Sequence, residues 1–299
     1  MPPPREIALL TNPTAGKGRG AAARSAALPR LRAAGLAVRD LQGADAAEAA
    51  DLAAEAVASG VQALVVVGGD GLVHLAAQVL AGSSIPLGVV PAGTGNDVAR
   101  YLDLPRRDPA TAADQVAAAV LAGRSRAIDL ARDSSGRCFV TVLCAGFDAV
   151  VNERANRMTW PHGQMRYNIA TLAELRTFAP LPYVLELDGA TRELEAMMVS
   201  VGNGPSFGGG LRITEGALLD DGLLDVVVIK PMSKPALVRT YPRLFTGSVS
   251  SHPAYEHHRV RRVRVSAPGI LTYADGERFG PLPMTVECAP GALEVLTPA

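Results

Sequence analysis

Ala63-Leu64-Val65-Val66-Val67-Gly68-Gly69-Asp70-Gly71 is the stretch on which the fold turns. Five apolar residues in a row, three of them β-branched, suit a strand buried on both faces. The Gly-Gly-Asp-Gly that follows suits a tight turn, and 72–80 then carries apolar residues at helical spacing. Working outward, 7–10 is a short apolar run that stops at Asn12-Pro13, and 20–34 reads as a helix closed by Gly35. Val38 marks a second strand, and 48–58 a helix with Gly60 as its C-terminal cap. Residues 86–90 repeat the buried-strand pattern and 97–102 open another helix. Alternating strands and helices predict an open parallel sheet covered by helices on both faces. Such sheets bind ligands beyond the carboxyl ends of their strands.

Three Gly-rich turns fall at those ends. They are Asn12-Pro13-Thr14-Ala15-Gly16-Lys17-Gly18, Gly68-Gly69-Asp70-Gly71, and Pro91-Ala92-Gly93-Thr94-Gly95-Asn96-Asp97. Glycine admits φ > 0 and has no Cβ to hold a phosphate away from the main chain. Successive N–H groups then converge on an anion, assisted by the next helix N-terminus. Asp70 would repel a bare phosphate and makes sense where Mg²⁺ intervenes. Thr94 and Asn96 offer neutral donors, and Asp97 is able to orient a water or a basic neighbour. One such turn is commonly just a turn; three on one sheet edge favour phosphate binding.

Established phosphate motifs fit less well. A P-loop needs Gly at position 11 and a hydroxyl residue at position 18, where this chain has Thr11 and Gly18. Gly16, Gly18 and Gly20 lack the spacing of a dinucleotide fingerprint.

Composition narrows the classes further. The 299 residues suffice for two domains, and 48% hydrophobic with 19% charged residues excludes a disordered chain. Basic and acidic residues both number 29, so no bulk field recruits nucleic acid. Cys138, Cys144 and Cys288 show no C-x-x-C spacing and read as reduced thiols of a cytoplasmic protein. Met1 to Glu6 lacks the apolar core of a signal peptide, and no run approaches a membrane span.

From about 129 the pattern changes. Strand-like runs occur at 139–143, 183–187, 197–201, 224–229 and 261–265, with others near Ile270 and Met284. Helices over 152–178, in pieces, and 235–245 interrupt them. Many strands with few crossovers predict an antiparallel, sandwich-like domain. The boundaries are therefore 1–128 for an α/β domain, completed by 291–299, and 129–290 for a β-rich domain.

Gly204-Pro205-Ser206-Phe207-Gly208 matches the nucleophile elbow of serine hydrolases. That elbow needs a helix straight after the serine, and Gly208-Gly209-Gly210 opens none, so hydrolase chemistry is set aside. Leu218-Leu219-Asp220-Asp221-Gly222-Leu223-Leu224-Asp225 gathers three carboxylates around one turn, either a hard-cation site or a solvated hairpin. Asp275-Gly276-Glu277 is a second acidic turn, either a plain hairpin tip or the mount of a general base. The five histidines show no metal spacing, and Arg259, Arg261, Arg262 and Arg264 read as one solvated strand face.

Together these residues resemble the diacylglycerol kinase catalytic family, in its bacterial soluble lipid-kinase branch. The likeness rests on Asn12-Pro13 with Gly16, on Gly68 to Gly71, and on Pro91 to Arg100. It continues through Gly146-Phe147-Asp148, Gly202-Asn203-Gly204-Pro205, Leu218 to Asp225, and Asp275-Gly276-Glu277. Gly-Gly-Asp-Gly alone is shared with NAD kinases, which resemble this family in fold. The chain departs from the pattern at Leu72, where the family usually has Thr, and at His74-Leu75 in place of an Asn-Glu pair.

The resemblance implies transfer of a phosphoryl group from ATP to a lipid hydroxyl, diacylglycerol giving phosphatidic acid, with Mg²⁺ as cofactor. It implies that Asn12, Pro13, Gly16, Lys17, Gly68, Gly69, Asp70, Gly71, Gly93, Thr94, Gly95 and Asn96 hold the nucleotide. Asp70 and Asp97 would serve the catalytic Mg²⁺ network. Asp221 with the carbonyls of Leu218 and Leu223 would hold a structural Mg²⁺. Glu277 would be the general base, with Asp275 as its alternate. The implied partners are ATP, a membrane lipid and a transient membrane surface; a homodimer is left open. An NAD kinase-like enzyme and a non-catalytic nucleotide- or lipid-sensing module are the competing readings.

Overall fold

The structure is a computed structural model that describes residues 5–12, 15–161, 164–175, 178–240 and 242–298. The chain divides into two compact units, one of Met1–Leu130 with Pro290–Ala299 and one of Ala131–Ala289.

The first unit runs β1 (Glu6–Thr11), α1 (Ala15–Ala33), β2 (Ala37–Leu41), α2 (Ala46–Ala58), β3 (Leu64–Gly68), α3 (Asp70–Leu80), β4 (Leu87–Pro91), α4 (Asp97–Tyr101), α5 (Pro109–Ala122) and the start of β5 (Ser125–Asp133). Its strands are parallel in the order β2-β1-β3-β4, and the last strand of the chain joins them with Val295 opposite Leu87. The Val-rich stretch lies at the centre, and every residue of β3 is buried. α1 lays Ala23, Ala27 and Leu31, each four residues apart, into one core with Ile7, Leu9, Val65 and Val67. Thr11 pairs with Val67 and Gly68 with Pro91, so β1, β3 and β4 end nearly flush. The Gly-rich segments therefore leave a single edge.

Two sequence expectations need correction here. α1 begins at Ala15 rather than near 20, so Gly16, Lys17 and Gly18 open a helix instead of extending a turn. α5 was not expected, because its alanines blur the apolar stripe. Its ends nonetheless carry signals: Asp108 accepts the Thr111 N–H at 3.1 Å, Pro109 opens the helix, and Gly123 closes it at φ 63°.

The second unit continues from β5 through β6 (Cys138–Phe139), β7 (Val142–Gly146), α6 (Phe147–Arg157), α7 (Gln164–Leu175), β8 (Leu181–Leu187), β9 (Ala190–Ala196), β10 (Met198–Gly202), β11 (Leu224–Ile229), α8 (Lys234–Thr240), α9 (Arg243–Thr246), β12 (Tyr255–Val260), β13 (Arg262–Ser266), β14 (Leu271–Ala274), β15 (Glu277–Pro281) and β16 (Met284–Leu296). One antiparallel sheet has the order β12-β11-β10-β7-β14-β15, and β16-β13-β8-β9 run antiparallel in another. β11 shows how the layers form. Leu224, Val226 and Val228 enter the core shared with Leu185, Val263 and Val265 of the second sheet. The alternate residues Val227 and Ile229 face a separate core with Phe147, Val151 and Leu237 of the helices.

Two expected strands are split. The run 139–143 is interrupted at Val140 and Thr141, whose N–H groups bind the Asp275 carboxylate instead of a neighbouring strand. The Arg-rich run is not one solvated face. β12 pairs with β11, whereas β13 pairs with β8 and β16, and Asp188 accepts the N–H groups of Arg261 and Arg262 at the crossing.

Candidate active site

Gly69 caps α3 and Asp70 is its first residue. From there the Asp70 carboxylate accepts the Asn96 N–H on one oxygen and the Asp97 N–H on the other, both at 2.7 Å. The second and third Gly-rich segments are thus tied together by one side chain. Their backbones touch: a Cβ on Gly93 would lie 2.4 Å from the Cα of Gly69, and one on Gly69 would lie 2.9 Å from the Cα of Gly93. Only glycine fits at both places.

Asn96 takes the left-handed conformation (φ 54°) and its amide closes the turn, accepting the Gly93 N–H at 2.9 Å and donating to the Gly93 carbonyl at 3.1 Å. Asp97 is buried and paired with Arg100, which also donates to the Gly95 carbonyl at 3.2 Å. Thr94, by contrast, is exposed at the tip. Arg19 of α1 donates to the Gly93 carbonyl at 3.0 Å and to the Thr94 hydroxyl at 3.3 Å. That link brings the first segment to the other two. Sequence reading had passed over Arg19, because nothing in the local pattern distinguishes it from the neighbouring helix arginines.

Asn12 follows β1 and its N–H reaches the Val67 carbonyl at 3.4 Å. Gly16 lies in the opening of α1, while Pro13 and the Lys17 side chain lie outside the described residues. Leu72 is buried, and its side chain lies where a Cβ on Gly68 would have to go, at 2.8 Å. The apolar residue at this position packs over the strand end.

In the second unit, Asp275 and Gly276 form a two-residue hairpin turn, with φ of 53° and 88° between the paired Ala274 and Glu277. The two acids part company here. Asp275 is buried, and its carboxylate accepts the Val140 N–H at 2.9 Å, the Thr141 N–H at 2.7 Å and the Thr141 hydroxyl at 2.6 Å. Glu277 is exposed on the rising strand. A carboxylate so fully engaged is a structural fastener, and Glu277 is the solvent-facing acid of the pair.

On the acidic loop, Asp221 accepts the Leu223 N–H at 3.0 Å and pairs with Arg259. Asp225 is buried on β11, with one oxygen 2.6 Å from His257 Nε2 and the other without a hydrogen-bond partner among the described residues. No group of three or more His, Cys, Asp or Glu suited to a metal occurs among the described residues. Arg259 also lies 3.8 Å from Asp225, so one guanidinium serves both carboxylates.

The sequence did not disclose an apolar cavity between the helices and the six-stranded sheet. Its volume is about 80 Å³, and it is walled by Phe147, Val151, Met198, Ile229, Leu237 and Leu244 among others. Asp148 reaches its lining. Burial raises this carboxyl to about 6, against hydrogen bonds from the Cys144 thiol, the Ala149 N–H at 2.8 Å and the Ser200 hydroxyl at 3.1 Å. The walls come from residues about a hundred positions apart, so no local pattern marks them.

Comparison with known proteins covers both units. Residues 6–132 match the diacylglycerol kinase catalytic domain, and 141–297 match the YegS C-terminal NAD kinase beta sandwich-like domain. A diacylglycerol kinase of Mycobacterium tuberculosis is 46% identical, the alignment covering 98% of this chain and 95% of that one. A Pseudomonas fluorescens protein named "Probable lipid kinase YegS-like" is 31% identical, over 91% of this chain and 90% of its own. A crystal structure of a diacylglycerol kinase from Bacillus anthracis, 23% identical, covers 98% of this chain and 97% of that one with a TM-score of 0.74, a likeness of fold.

Proposed function

The chain belongs to the diacylglycerol kinase family of lipid kinases, and from that premise we propose that it transfers the γ-phosphoryl group of ATP to the hydroxyl of diacylglycerol. The observation that carries the reading is the clamp of Asp70 on Asn96 and Asp97. It holds two Gly-rich backbones in contact at the strand ends, where main-chain N–H groups at a helix N-terminus are able to receive a triphosphate.

In this reading Gly68, Gly69, Gly71, Gly93, Thr94, Gly95 and Asn96 form the nucleotide site, with Asn12, Pro13, Gly16 and Lys17 at its margin. Each Asp70 oxygen accepts one N–H. Carboxylates suit the waters of a hard cation, so Asp70, with Asp97 behind it, would serve a Mg²⁺ ion, which when bound would neutralise phosphate charge. Asp221 with the carbonyls of Leu218 and Leu223 would hold a second, structural Mg²⁺. Phosphoryl transfer asks for positioning and charge neutralisation more than for covalent chemistry. A lipid hydroxyl is a weak nucleophile, and Glu277 accepts its proton as attack proceeds. Asp275 keeps the hairpin under Glu277 in place.

The apolar cavity of the second unit supports a lipid acceptor, since a nicotinamide dinucleotide has no use for an aliphatic pocket. Radiolabelled ATP with Mg²⁺ and a panel of dispersed lipids, with NAD alongside, tests the proposal. Label is expected in diacylglycerol. Label in NAD alone, or in nothing, overturns the reading.

A further inference from the structure

Glu277 opens β15, and β15 is not a regular strand. Ala274 pairs with Glu277 and Tyr273 with Arg278, but Thr272 then pairs with Gly280, which leaves Phe279 as an extra residue. Such a bulge bends its strand and re-aims the side chains beside it. What packs on the bulge comes from the segment 133–141. Phe279 is buried in edge-to-face contact with Phe139, the ring centroids 5.5 Å apart. The Arg137 guanidinium lies over the same Phe279 ring, 4.5 Å from its centroid. It also lies against the main chain of Gly280, where a Cβ would stand 3.3 Å from Arg137 Nη2 and 3.9 Å from Nη1.

Arg137 is itself held fast. It stands in the turn between β5 and β6, and its Nε and Nη2 donate to Asp133 Oδ2 at 3.0 and 2.7 Å. Asp133 is buried, and its other oxygen accepts the N–H groups of Ser135 and Arg137 at 2.9 and 3.0 Å and the Ser135 hydroxyl at 2.6 Å. The main chain already closes this turn, with the Asp133 N–H on the Arg137 carbonyl at 2.9 Å and the Gly136 N–H on the Asp133 carbonyl at 3.0 Å. What the carboxylate adds is a guanidinium with a fixed place. An ion pair wholly in water contributes little, but here the anion is buried and the cation is stacked on a ring.

We propose that Arg137, oriented by Asp133, is a positioning residue of the phosphoryl transfer: by holding the bulge at Phe279 it sets the place of the Glu277 carboxylate two residues earlier. The inference rests on reading Glu277 as the proton acceptor. Asp275 ties the turn of this hairpin to Val140 and Thr141, and Arg137 ties the strand beyond Glu277. The residue is thus secured on both sides to 133–141. A misplacement of about 1 Å at a reacting group costs roughly 10²-fold in rate. Loosening this hold therefore acts on the chemical step and leaves nucleotide binding by the Gly-rich segments of the first unit alone.

Arg137→Met keeps an apolar stem over Phe279 and removes the cation. With dispersed diacylglycerol, ATP and Mg²⁺, kcat is expected to fall about tenfold while the KM for ATP stays as in the wild type. Arg137→Lys, which returns the charge but not the planar fork, should recover part of the loss. In Glu277→Gln, whose residual turnover is followed with radiolabelled ATP, adding Arg137→Met should cost nothing further, because no carboxylate is left to misplace. A merely structural role would lower both backgrounds equally. Phe279→Leu, which takes away the ring face and keeps an apolar side chain, repeats the cycle should Arg137→Met fail to fold. Wild-type kcat in both Arg137→Met and Phe279→Leu, or an equal loss in the Glu277→Gln background, overturns the inference while Glu277 stands as the base. Wild-type turnover in Glu277→Gln removes the base itself, and the inference falls with it.

Discussion

The carboxylate of Asp70 accepts the main-chain N–H of Asn96 at 2.7 Å across 26 residues of sequence, and that of Asp97 at the same distance. An acid in a phosphate-type turn looks misplaced until this is seen. Its charge holds the neighbouring backbone in place. Charge-assisted bonds to N–H groups are among the stronger ones a protein makes.

Asp70→Ala should therefore cost stability as well as turnover. Losing both bonds is expected to destabilise the chain by roughly 2–4 kcal/mol. Urea denaturation measures that, and nucleotide affinity should fall with it. A variant as stable as the wild type would show that the clamp is incidental.

Asp275 and Glu277 should separate into two phenotypes. Glu277→Gln is expected to keep the melting temperature and nucleotide affinity while turnover drops about 10²–10⁴-fold. Asp275→Ala strands the N–H groups of Val140 and Thr141 and the Thr141 hydroxyl, at a cost on the order of 3 kcal/mol. If Glu277→Gln turns over normally, the base lies elsewhere. If it is inactive yet preserves the cellular role, the sensing module gains.

Asp148 predicts a pH dependence with a definite sign. Its folded value is raised from 3.8 to about 6, chiefly by burial. Between those values the folded chain keeps a proton that the unfolded chain has released, so stability falls as pH rises through the window and levels off above it. Asp148→Asn removes the effect. The variant should be more stable than the wild type at pH 8, by on the order of 2–3 kcal/mol, and show no such gain at pH 4. Denaturation curves at the two values decide it, and a gain independent of pH would assign the effect to packing.

The acidic loop offers a metal test that does not depend on activity. Mg²⁺ is expected to raise the melting temperature by about 2–4 °C in the wild type and not in Asp221→Ala. An equal rise in both would move the ion away from this loop.

Much of this molecule was legible before any coordinates. Runs such as 63–67 declare burial by their composition alone, and glycine at the strand ends declares close backbone approach, because both signals are local. Family likeness extended the same residues to a kinase. Other features depend on partners distant in the chain. Whether Asp275 or Glu277 is the solvent-facing acid depends on Val140 and Thr141, more than 130 residues earlier. The Arg-rich run became two strands of two sheets because Asp188 binds the chain at the crossing.

What the sequence determined by itself was the alternation of buried strands and helices, the Gly-rich edge and the later change to antiparallel β structure. These follow from side-chain size, branching and polarity read over a few residues at a time. Only the tertiary structure decided that Asp70 fastens one turn to another, that Arg19 joins them, and that helices from 147 to 249 enclose an apolar cavity. Each of those is a meeting of groups far apart in sequence, and packing brings them together where no local preference could.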